Sequence, residues 1–596
     1  MAIRSFQNIH EMMKTTVDNY PDQPAYQWFS EQGEAQPPVS WSDFYGQVRR
    51  VAKSLIALGV EKNDKVNILS YSCYRWILSD LGITTCGAAT VGIYQSNLPK
   101  DCQYIINHSD AVVIFAENQK QLDKLFKIRK EIPAIRKVVL FNGRHDDDWV
   151  IDYEAFLKLG DNISDAVLQQ RIDATGPEDV AGIVYTSGTT GVPKGAVLTH
   201  DNLTFTSQSA LACLSVKEGE TTFLFLPLAH VFARICVNLA LLTGVKTVIA
   251  RSVDTLIDDL KAAQPHWFAS VPRIYEKVYA KVVSGAEAKG GLALKIFRWA
   301  CGVGDQVSDC LLAKRPIPAM TAIQYKIATK LVFSKLQAAL GGRVRWCVSG
   351  AAPLNPSIAK FFHAAGILIV EGLGMSENTS FTNVNRYDNY RFGWVGQPGP
   401  GIEQKIAEDG EVLFRGRNVM KEYYKMPEET EKTILQGGWQ RTGDLGEIDE
   451  ENFLRITGRK KDLIITAGGK NIAPSAIEGV IATSKYIAQV CVVGDRRKYL
   501  TALVTLDQEN ITAFAKEKGL TYGNFSDLLE NPAVIELINA EITEKNKEFA
   551  SFESIKKVTI VPEFTIENGL ITPTFKVKKN IVQDRFKDQI EGMYKE

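Results

Sequence analysis

The stretch that decides the fold is Tyr185-Thr186-Ser187-Gly188-Thr189-Thr190-Gly191-Val192-Pro193-Lys194-Gly195. It is a loop of small and hydroxyl-bearing residues that ends in a lysine, and it follows the apolar run 181–185, which predicts a buried strand. Glycines allow the backbone to approach a ligand closely, and exposed N–H groups, hydroxyls and an ammonium group bind anions. The sequence therefore predicts a strand followed by a phosphate-binding loop.

This loop differs from a Walker A motif. In that motif a Gly-Lys pair precedes Ser or Thr, whereas here Lys194 lies between Pro193 and Gly195. A standard P-loop ATPase or kinase is therefore disfavoured. By itself the loop is also compatible with a surface turn, so the interpretation depends on the rest of the chain.

The bulk composition is that of an ordinary globular protein. Lys+Arg and Asp+Glu both number 69 in 596 residues, so the formal net charge is zero and gives no indication of a nucleic-acid partner. Nine cysteines without a C-x-x-C pair support neither a zinc site nor a disulfide framework. The first residues lack the apolar run of a signal peptide, and no apolar run is long enough to span a bilayer. We therefore expect a cytoplasmic protein of several subdomains.

Short apolar runs alternate with helical patterns over most of the chain, which predicts parallel-rich α/β subdomains. Short strands from about residue 395 predict a small β-rich subdomain, and a compact α+β segment follows the charged turn 458–462. The predicted fold class is α/β. We expect a large N-terminal domain over residues 1–459, with two parallel-rich subdomains and the β-rich one, and a small C-terminal domain over residues 460–596. The clearest strand runs are 66–69, 111–115, 137–141, 222–225, 246–250 and 267–271.

Residues 281–341 interrupt this alternation with a helical insertion. The pattern favours a helix pair that packs on the domain, and a basic amphipathic helix on a membrane surface is the alternative. Apolar residues recur there at near-helical spacing with lysines between them: Ile323, Ile327, Leu331, Leu336 and Leu340, with Lys326, Lys330 and Lys335.

Several later segments place polar residues at turns. His230 lies among apolar residues, which by itself indicates a core histidine. The segments 345–354 and 366–377 are strands that end in small-residue turns, and Glu377 offers the hard oxygen ligand that Mg²⁺ prefers. Asp444 closes a Thr-Gly-Asp turn, where Asp is ordinarily a turn former.

In this order, these segments resemble the motifs of the adenylate-forming (AMP-binding) superfamily, and the resemblance covers nearly the whole chain. It implies ATP and CoA as co-substrates, Mg²⁺ on Glu377, the ribose hydroxyls on Asp444, and an acyl pocket at His230 and Phe232. The nucleotide-binding residues that it implies are Thr186, Ser187, Gly188, Thr189, Thr190, Gly350, Ala351, Gly372, Leu373, Gly374, Met375, Ser376, Asp444 and Arg459.

Two residues depart from the family's pattern. Ala351 stands where the family's Ser-Gly-Gly turn has its second glycine, and its methyl group should narrow the adenine site slightly. Leu373 replaces an aromatic residue, so a stacking face for adenine is lost. We expect these changes to affect nucleotide binding and not the phosphate chemistry.

The resemblance also implies a hinge, a CoA tunnel and the catalytic residues. Lys461 matches the family's hinge, about which a small mobile C-terminal domain swings. Gly468 and Gly469 lie in the loop that shapes the tunnel for CoA. Lys576 aligns with the family's adenylation lysine, and Lys578 is the alternative candidate for that role. The catalytic residues that the resemblance implies are therefore Lys576, Lys194 and His230.

The segments 271–278 and 331–345 and the ending Thr572-Pro573-Thr574-Phe575-Lys576 are similar to the long-chain acyl-CoA synthetases. This branch implies a ligase that forms acyl-AMP and pyrophosphate from a fatty acid and ATP, and then transfers the acyl group to CoA. Three alternatives stay open: an acyl-AMP ligase that serves a carrier protein, an adenylation module of peptide synthesis, and a non-catalytic nucleotide-binding homologue. Because the substrate is a lipid, peripheral contact at the inner face of a membrane is a further expectation.

Overall fold

The computed structural model describes residues 3–186, 192–467, 470–572 and 576–595. The strands are β1 (Pro24–Trp28), β2 (Val39–Ser40), β3 (Lys65–Leu69), β4 (Ala89–Ile93), β5 (Ala111–Ala116), β6 (Lys137–Leu140), β7 (Val150–Asp152), β8 (Val180–Thr186), β9 (Lys194–Thr199), β10 (Thr221–Leu224), β11 (Lys246–Ile249), β12 (Trp267–Ser270), β13 (Trp346–Ser349), β14 (Leu368–Leu373), β15 (Asn383–Val384), β16 (Gln397–Pro398), β17 (Ile402–Ile406), β18 (Glu411–Gly416), β19 (Glu422–Tyr423), β20 (Gln440–Ile448), β21 (Leu454–Arg459), β22 (Ile464–Ile465), β23 (Asn471–Ile472), β24 (Ile487–Val493), β25 (Leu500–Leu506) and β26 (Ile555–Ile560).

The α-helices connect these strands, and in the described ranges none of them is long and apolar enough to cross a membrane. They are α1 (Ile9–Asn19), α2 (Trp41–Ala57), α3 (Tyr74–Thr85), α4 (Pro99–Ser109), α5 (Gln119–Lys127), α6 (Tyr153–Leu159), α7 (Asp165–Asp173), α8 (His200–Cys213), α9 (Val231–Thr243), α10 (Leu256–Ala263), α11 (Pro272–Lys289), α12 (Gly291–Leu312), α13 (Ala319–Ala328), α14 (Ser334–Ala339), α15 (Pro356–Ala364), α16 (Pro427–Thr433), α17 (Pro474–Ile481), α18 (Gln508–Glu517), α19 (Pro532–Lys545), α20 (Lys579–Arg585) and α21 (Lys587–Tyr594).

Two large sheets form the N-terminal part, as the sequence predicts. One has the order β19-β9-β8-β4-β3-β5-β6-β7, and the other has the order β16-β15-β14-β13-β12-β10-β11-β1-β2. The inner strands of both are parallel, and β8 and β9 form an antiparallel hairpin at one side of the first sheet. The inner strands are buried along almost their whole length, which explains why they read as continuous apolar runs and not as alternating ones.

A four-stranded antiparallel sheet, β17-β18-β20-β21, forms the predicted β-rich subdomain. The C-terminal segment has its own three-stranded sheet, β24-β25-β26, with helices packed around it. The apolar core of the N-terminal part ends with Leu454, and the C-terminal cores begin at Ile464. This break in the core supports a domain boundary close to residue 459.

The two parts touch through polar contacts. Lys485 Nζ lies 2.5 Å from a carboxylate oxygen of Glu287, and Ser284 Oγ donates to Asn510 Oδ1 at 3.1 Å. Asn355 Nδ2 donates to the carbonyl of Gly479 at 3.3 Å. Helix α11 therefore supplies two of the residues on which the C-terminal part rests.

Helices α11 to α14 occupy the segment between β12 and β13, where the sequence predicts a helical insertion. The periodic apolar residues divide into two groups, because Leu336 and Leu340 are buried while Ile323, Ile327 and Leu331 are exposed. The helices of the insertion pack on one another and on the domain, but Ile323 and Ile327 of α13 face the solvent. Periodicity identifies an amphipathic helix but does not say which face meets the core.

Candidate active site

The β8–β9 hairpin presents the predicted phosphate loop. Thr186 at the end of β8 pairs with Lys194 at the start of β9. Lys194 forms an ion pair with Glu429, and its ammonium group lies 5.1 Å from the ring centre of Tyr423. Lys194, and then Lys432, hold the pKa of Glu429 at about 2. The predicted residues Ser187, Gly188, Thr189 and Thr190 lie outside the described residues.

Glu377 lies close to this hairpin. It belongs to a 3₁₀ turn, Ser376–Asn378, that follows strand β14. Tyr423 on β19 donates a hydrogen bond of 2.6 Å to Glu377 Oε1, and burial and Glu377 raise the pKa of this tyrosine well above its usual range. Because β19 pairs with β9, the fold brings Glu377, Tyr423 and Lys194 to the same end of the hairpin.

The turn between β14 and Glu377 depends on a glycine. A Cβ atom at Gly374 would lie 2.1 Å from the backbone of Ser380, a distance that no side chain tolerates. Asn378 fixes the turn by accepting from the backbone N–H of Met375 at 2.8 Å and donating to Gln440 Oε1 at 3.1 Å. The predicted adenine-site segment thus consists of the end of β14, at Gly372 and Leu373, and the tight turn from Gly374 to Ser376.

The turn after β13 meets the acyl motif. A Cβ atom at Gly350 would lie 3.3 Å from the ring of Phe232 and 3.9 Å from the carbonyl oxygen of Gly372. Three predicted site segments therefore converge at Gly350. Ala351 adopts a left-handed backbone with φ of +70°, a conformation that costs an alanine but not a glycine.

Asp444 and Arg459 are direct neighbours across strands β20 and β21. Arg459 Nε donates to Asp444 Oδ1 at 2.9 Å, and Asp444 is largely buried. Burial opposes the positive charge of Arg459, but the carboxylate of Asp444 prevails and raises its pKa. The two residues thus form one charged pair, an arrangement that their separate motifs do not reveal.

Lys576 brings the C-terminal segment to this site. The surrounding protein and Arg459 lower the pKa of its ammonium group, while Asp444 and Glu377 act in the opposite direction. Lys576 is nevertheless an exposed residue, so this lowering is smaller than full burial would give. Asp444 and Glu377, the predicted ribose and metal residues, therefore both act on the ammonium group of Lys576.

His230 also lies within electrostatic range of Lys576. Burial, and then Lys576, lower the pKa of His230 to about 4, so the imidazole is neutral near pH 7. The backbone N–H of Phe232 donates to His230 Nδ1 at 3.1 Å as helix α9 begins. The ring proton of the neutral form therefore belongs on Nε2.

Sequence reasoning missed Tyr423 and Glu429, which contact Glu377 and Lys194. They lie more than two hundred residues after the loop, and no local pattern links them to it. It also missed a buried ion pair in which Arg234 donates twice to Asp80, at 3.1 and 2.8 Å. Lys461 is exposed at the domain boundary, and Gly468 and Gly469 lie outside the described residues.

Comparisons with known proteins identify the family of the chain. The model of the AMP-binding enzyme family matches residues 13–424, and that of the AMP-binding enzyme C-terminal domain matches residues 461–596. The long-chain-fatty-acid–CoA ligase FadD15 of Mycobacterium bovis is 36% identical over 93% of this chain and 92% of its own length. The human long-chain-fatty-acid–CoA ligase ACSBG2 is 30% identical over 98% of this chain and 92% of its own length.

Solved structures share the fold. The anthranilate CoA ligase AuaEII in complex with anthranoyl-AMP superposes with a TM-score of 0.74 at 19% identity, covering 99% of both chains. A fatty acyl CoA synthetase of Mycobacterium tuberculosis gives a TM-score of 0.59 at 20% identity, covering 98% of this chain and 99% of its own. The matched family models and the full-length relatives together show that the chain belongs to the AMP-binding enzyme family, in the branch of the long-chain-fatty-acid–CoA ligases.

Proposed function

We propose that this chain catalyses the ATP-dependent ligation of a long-chain fatty acid to CoA. In the first half-reaction a carboxylate oxygen of the acid bonds to the α-phosphorus of ATP, and the bond from that phosphorus to the bridging oxygen breaks. The products are acyl-AMP and pyrophosphate. In the second, the thiol of CoA loses its proton, its sulfur bonds to the acyl carbon, and AMP leaves.

The observation that carries this proposal is the set of charges that act on Lys576. The lysine comes from the C-terminal segment, yet Asp444, Arg459 and Glu377 of the N-terminal part all influence its ammonium group. A cation in this position neutralises negative charge as the carboxylate approaches the α-phosphate. We assign Lys194 the same task at the outer phosphates, for which it must leave Glu429.

His230 and Phe232 would orient the acid in this scheme. The neutral imidazole donates a hydrogen bond from Nε2 without adding a second full charge beside Lys576. Phe232 packs against Gly350 and so joins the acyl pocket to the adenine turn. The acid and the nucleotide would then be held at adjoining positions, which is the main requirement for an in-line attack.

The residues present fit a magnesium ion bound together with ATP. No group of three or more His, Cys, Asp or Glu in the described ranges could hold a metal by itself, whereas Glu377 offers one carboxylate next to the phosphate hairpin. Mg²⁺ in nucleotide sites is commonly held by one or two carboxylates, substrate phosphates and water. When bound, the ion would neutralise phosphate charge, and Tyr423 would orient the carboxylate that holds it.

The second half-reaction requires a different surface, and we propose that the C-terminal domain turns about Lys461 to supply it. The separate cores and the polar contacts between the two parts favour such a rotation. Gly468 and Gly469 would then line the path of CoA.

Product analysis tests the proposal. The purified chain is incubated with Mg·ATP, a long-chain fatty acid, and either CoA or a carrier protein that bears phosphopantetheine. We expect AMP with CoA thioester in the first mixture and no thioester in the second. Transfer to the carrier alone would identify an acyl-AMP ligase, and ATP binding without AMP formation would identify a non-catalytic homologue.

A further inference from the structure

Helix α13 turns its apolar side to the solvent. Together with a π-helical turn, Thr329–Phe333, and α14 it forms one continuous helical segment over residues 319–339. Within α13 itself, Ala328 alone is buried. The exposed apolar side chains recur at intervals of three and four residues, so they share one face of the helix. They are Met320, Ile323, Ile327 and Leu331, with exposed fractions of 67%, 56%, 48% and 45%.

This exposure is concentrated in one part of the molecule. Of the sixteen large apolar side chains that are exposed in the described ranges, seven lie between Leu292 and Leu331. Single exposed apolar residues are common on protein surfaces, but such a concentration indicates an interaction site. We call the α13 stripe with its neighbouring lysines the basic apolar face.

The charge along this helical segment is of one sign, and the nearest acidic residues in the sequence are Asp305 and Asp309 of the neighbouring α12, of which Asp309 pairs with Lys360. From Cys310 to Val370 the sequence contains no Asp or Glu, although the whole chain has equal numbers of acidic and basic residues. Lys326, Lys330 and Lys335 are exposed beside the stripe, and no ion pair in the described ranges engages them. Lys314 and Arg315 add two further exposed cations at the start of the segment.

We propose that the basic apolar face is a docking surface for an anionic lipid bilayer. Apolar side chains of an amphipathic helix enter the boundary between headgroups and acyl chains, while long lysine side chains extend back to the headgroups. Negative lipids then pair with lysines that form no ion pair in the described part of the chain. A second protein molecule could also cover an apolar stripe, but pairing with another copy would bring the exposed lysines of two such helices together, and like charges disfavour that contact.

The placement would have a consequence for substrate supply. Long-chain acids partition into bilayers, so a ligase that is bound to the surface takes its substrate where it is concentrated. Vesicle binding itself needs neither ATP nor acid. The docking proposal and the proposed ligase activity can therefore fail separately.

The test is co-sedimentation with vesicles of phosphatidylcholine alone and of an equal mixture with phosphatidylglycerol, at low and high salt. We compare the full chain with the double variants Ile323→Glu/Ile327→Glu and Lys326→Glu/Lys330→Glu. Matched controls change exposed residues elsewhere: Val167→Glu/Ile535→Glu and Lys516→Glu/Lys518→Glu. Light scattering without lipid reports the oligomeric state of each.

We expect the full chain to bind the anionic vesicles, and this binding should weaken with salt. The ratio of bound to free protein should fall at least about tenfold in both test variants. Each basic residue near an anionic surface contributes about fivefold to that ratio. The controls should bind like the unchanged chain. Equal binding of the test variants, or equal binding to neutral vesicles, would overturn the proposal. A dimer that dissociates in Ile323→Glu/Ile327→Glu with vesicle binding intact would instead make this face a contact between copies.

Discussion

Opposed interactions set the pKa of Lys576. Desolvation by the surrounding protein and the charge of Arg459 lower this pKa, whereas the carboxylates of Asp444 and Glu377 raise it. The phosphates of bound ATP would favour the charged lysine further. A residue in such surroundings is suited to bind a substrate that brings negative charge. Lys578, two residues later, has its backbone tied to Leu570 by a hydrogen bond of 2.9 Å within the C-terminal domain.

The substitution Lys576→Ala therefore separates the two half-reactions. We expect pyrophosphate release from ATP and acid to fall by at least about a hundredfold, the usual size of a lost charge-stabilising donor. Conversion of supplied acyl-AMP and CoA to acyl-CoA should stay within a few-fold of the original rate. Rapid-quench assays of each half-reaction measure both. Lys578→Ala is the matched control, and adenylation that fails in the control but survives in Lys576→Ala would exchange the roles of the two lysines.

The titration of Lys576 gives a pH prediction. Its pKa in the free enzyme lies below the ordinary value of 10.5, and only the protonated form carries the positive charge. As pH rises through this lowered pKa, kcat/KM for ATP should decline, because that ratio reports the free enzyme. Lys576→Arg keeps the charge and should remove this alkaline decline even if its rate is lower. An unchanged decline in the arginine variant would assign it to another group.

Ala351 supplies a prediction about stability. Its φ of +70° is unfavourable for alanine, whereas Ala352 is not among the residues with positive φ. We expect Ala351→Gly to raise the free energy of unfolding by about 0.5–1 kcal/mol, and Ala352→Gly to lower it by a similar amount. Urea unfolding of the two variants measures the difference. Equal destabilisation by both glycines would show that the left-handed backbone at residue 351 carries no strain.

At the scale of elements, the site lies where two hairpins and the C-terminal segment meet. Strands β8 and β9 carry Lys194, and strands β20 and β21 hold Asp444 opposite Arg459. Strand β19, which pairs with β9, adds Tyr423. The chain then leaves β21 and reaches Lys461 within two residues, so a rotation at this point would move Lys576 away from an otherwise fixed site.

Stiffening the hinge tests this arrangement. Proline at position 461 fixes its own φ and restricts residue 460, so Lys461→Pro should slow thioester formation from supplied acyl-AMP by tenfold or more, on the order of 1.4 kcal/mol. Adenylation should change much less, since Asp444, Glu377 and Arg459 already act on the ammonium group of Lys576 before any rotation. Lys461→Ala removes the charge and keeps the flexibility, so it should resemble the unchanged chain. Equal losses in both half-reactions would remove the support for a hinge here.

For the whole molecule, local sequence patterns predict the parallel-rich sheets, the β-rich subdomain and the C-terminal α+β unit, because each depends on the periodicity of buried residues. They also indicate the individual site segments. They cannot predict the pairing of Asp444 with Arg459, which depends on strand register, or the contacts of Tyr423 and Glu429, which depend on β19 joining β9. Sequence patterns also cannot predict that the apolar stripe of α13 is exposed, because an amphipathic pattern is the same whichever face is buried.

The measurement that bears most directly on the central claim is pyrophosphate release from ATP with carboxylic acids from acetate to long-chain and aromatic acids, with and without CoA. The proposed function predicts release that is strongest with long-chain acids, faster with CoA, accompanied by acyl-CoA, and lost in Lys576→Ala. Release that prefers short or aromatic acids, or silence with every acid despite ATP binding, would contradict it.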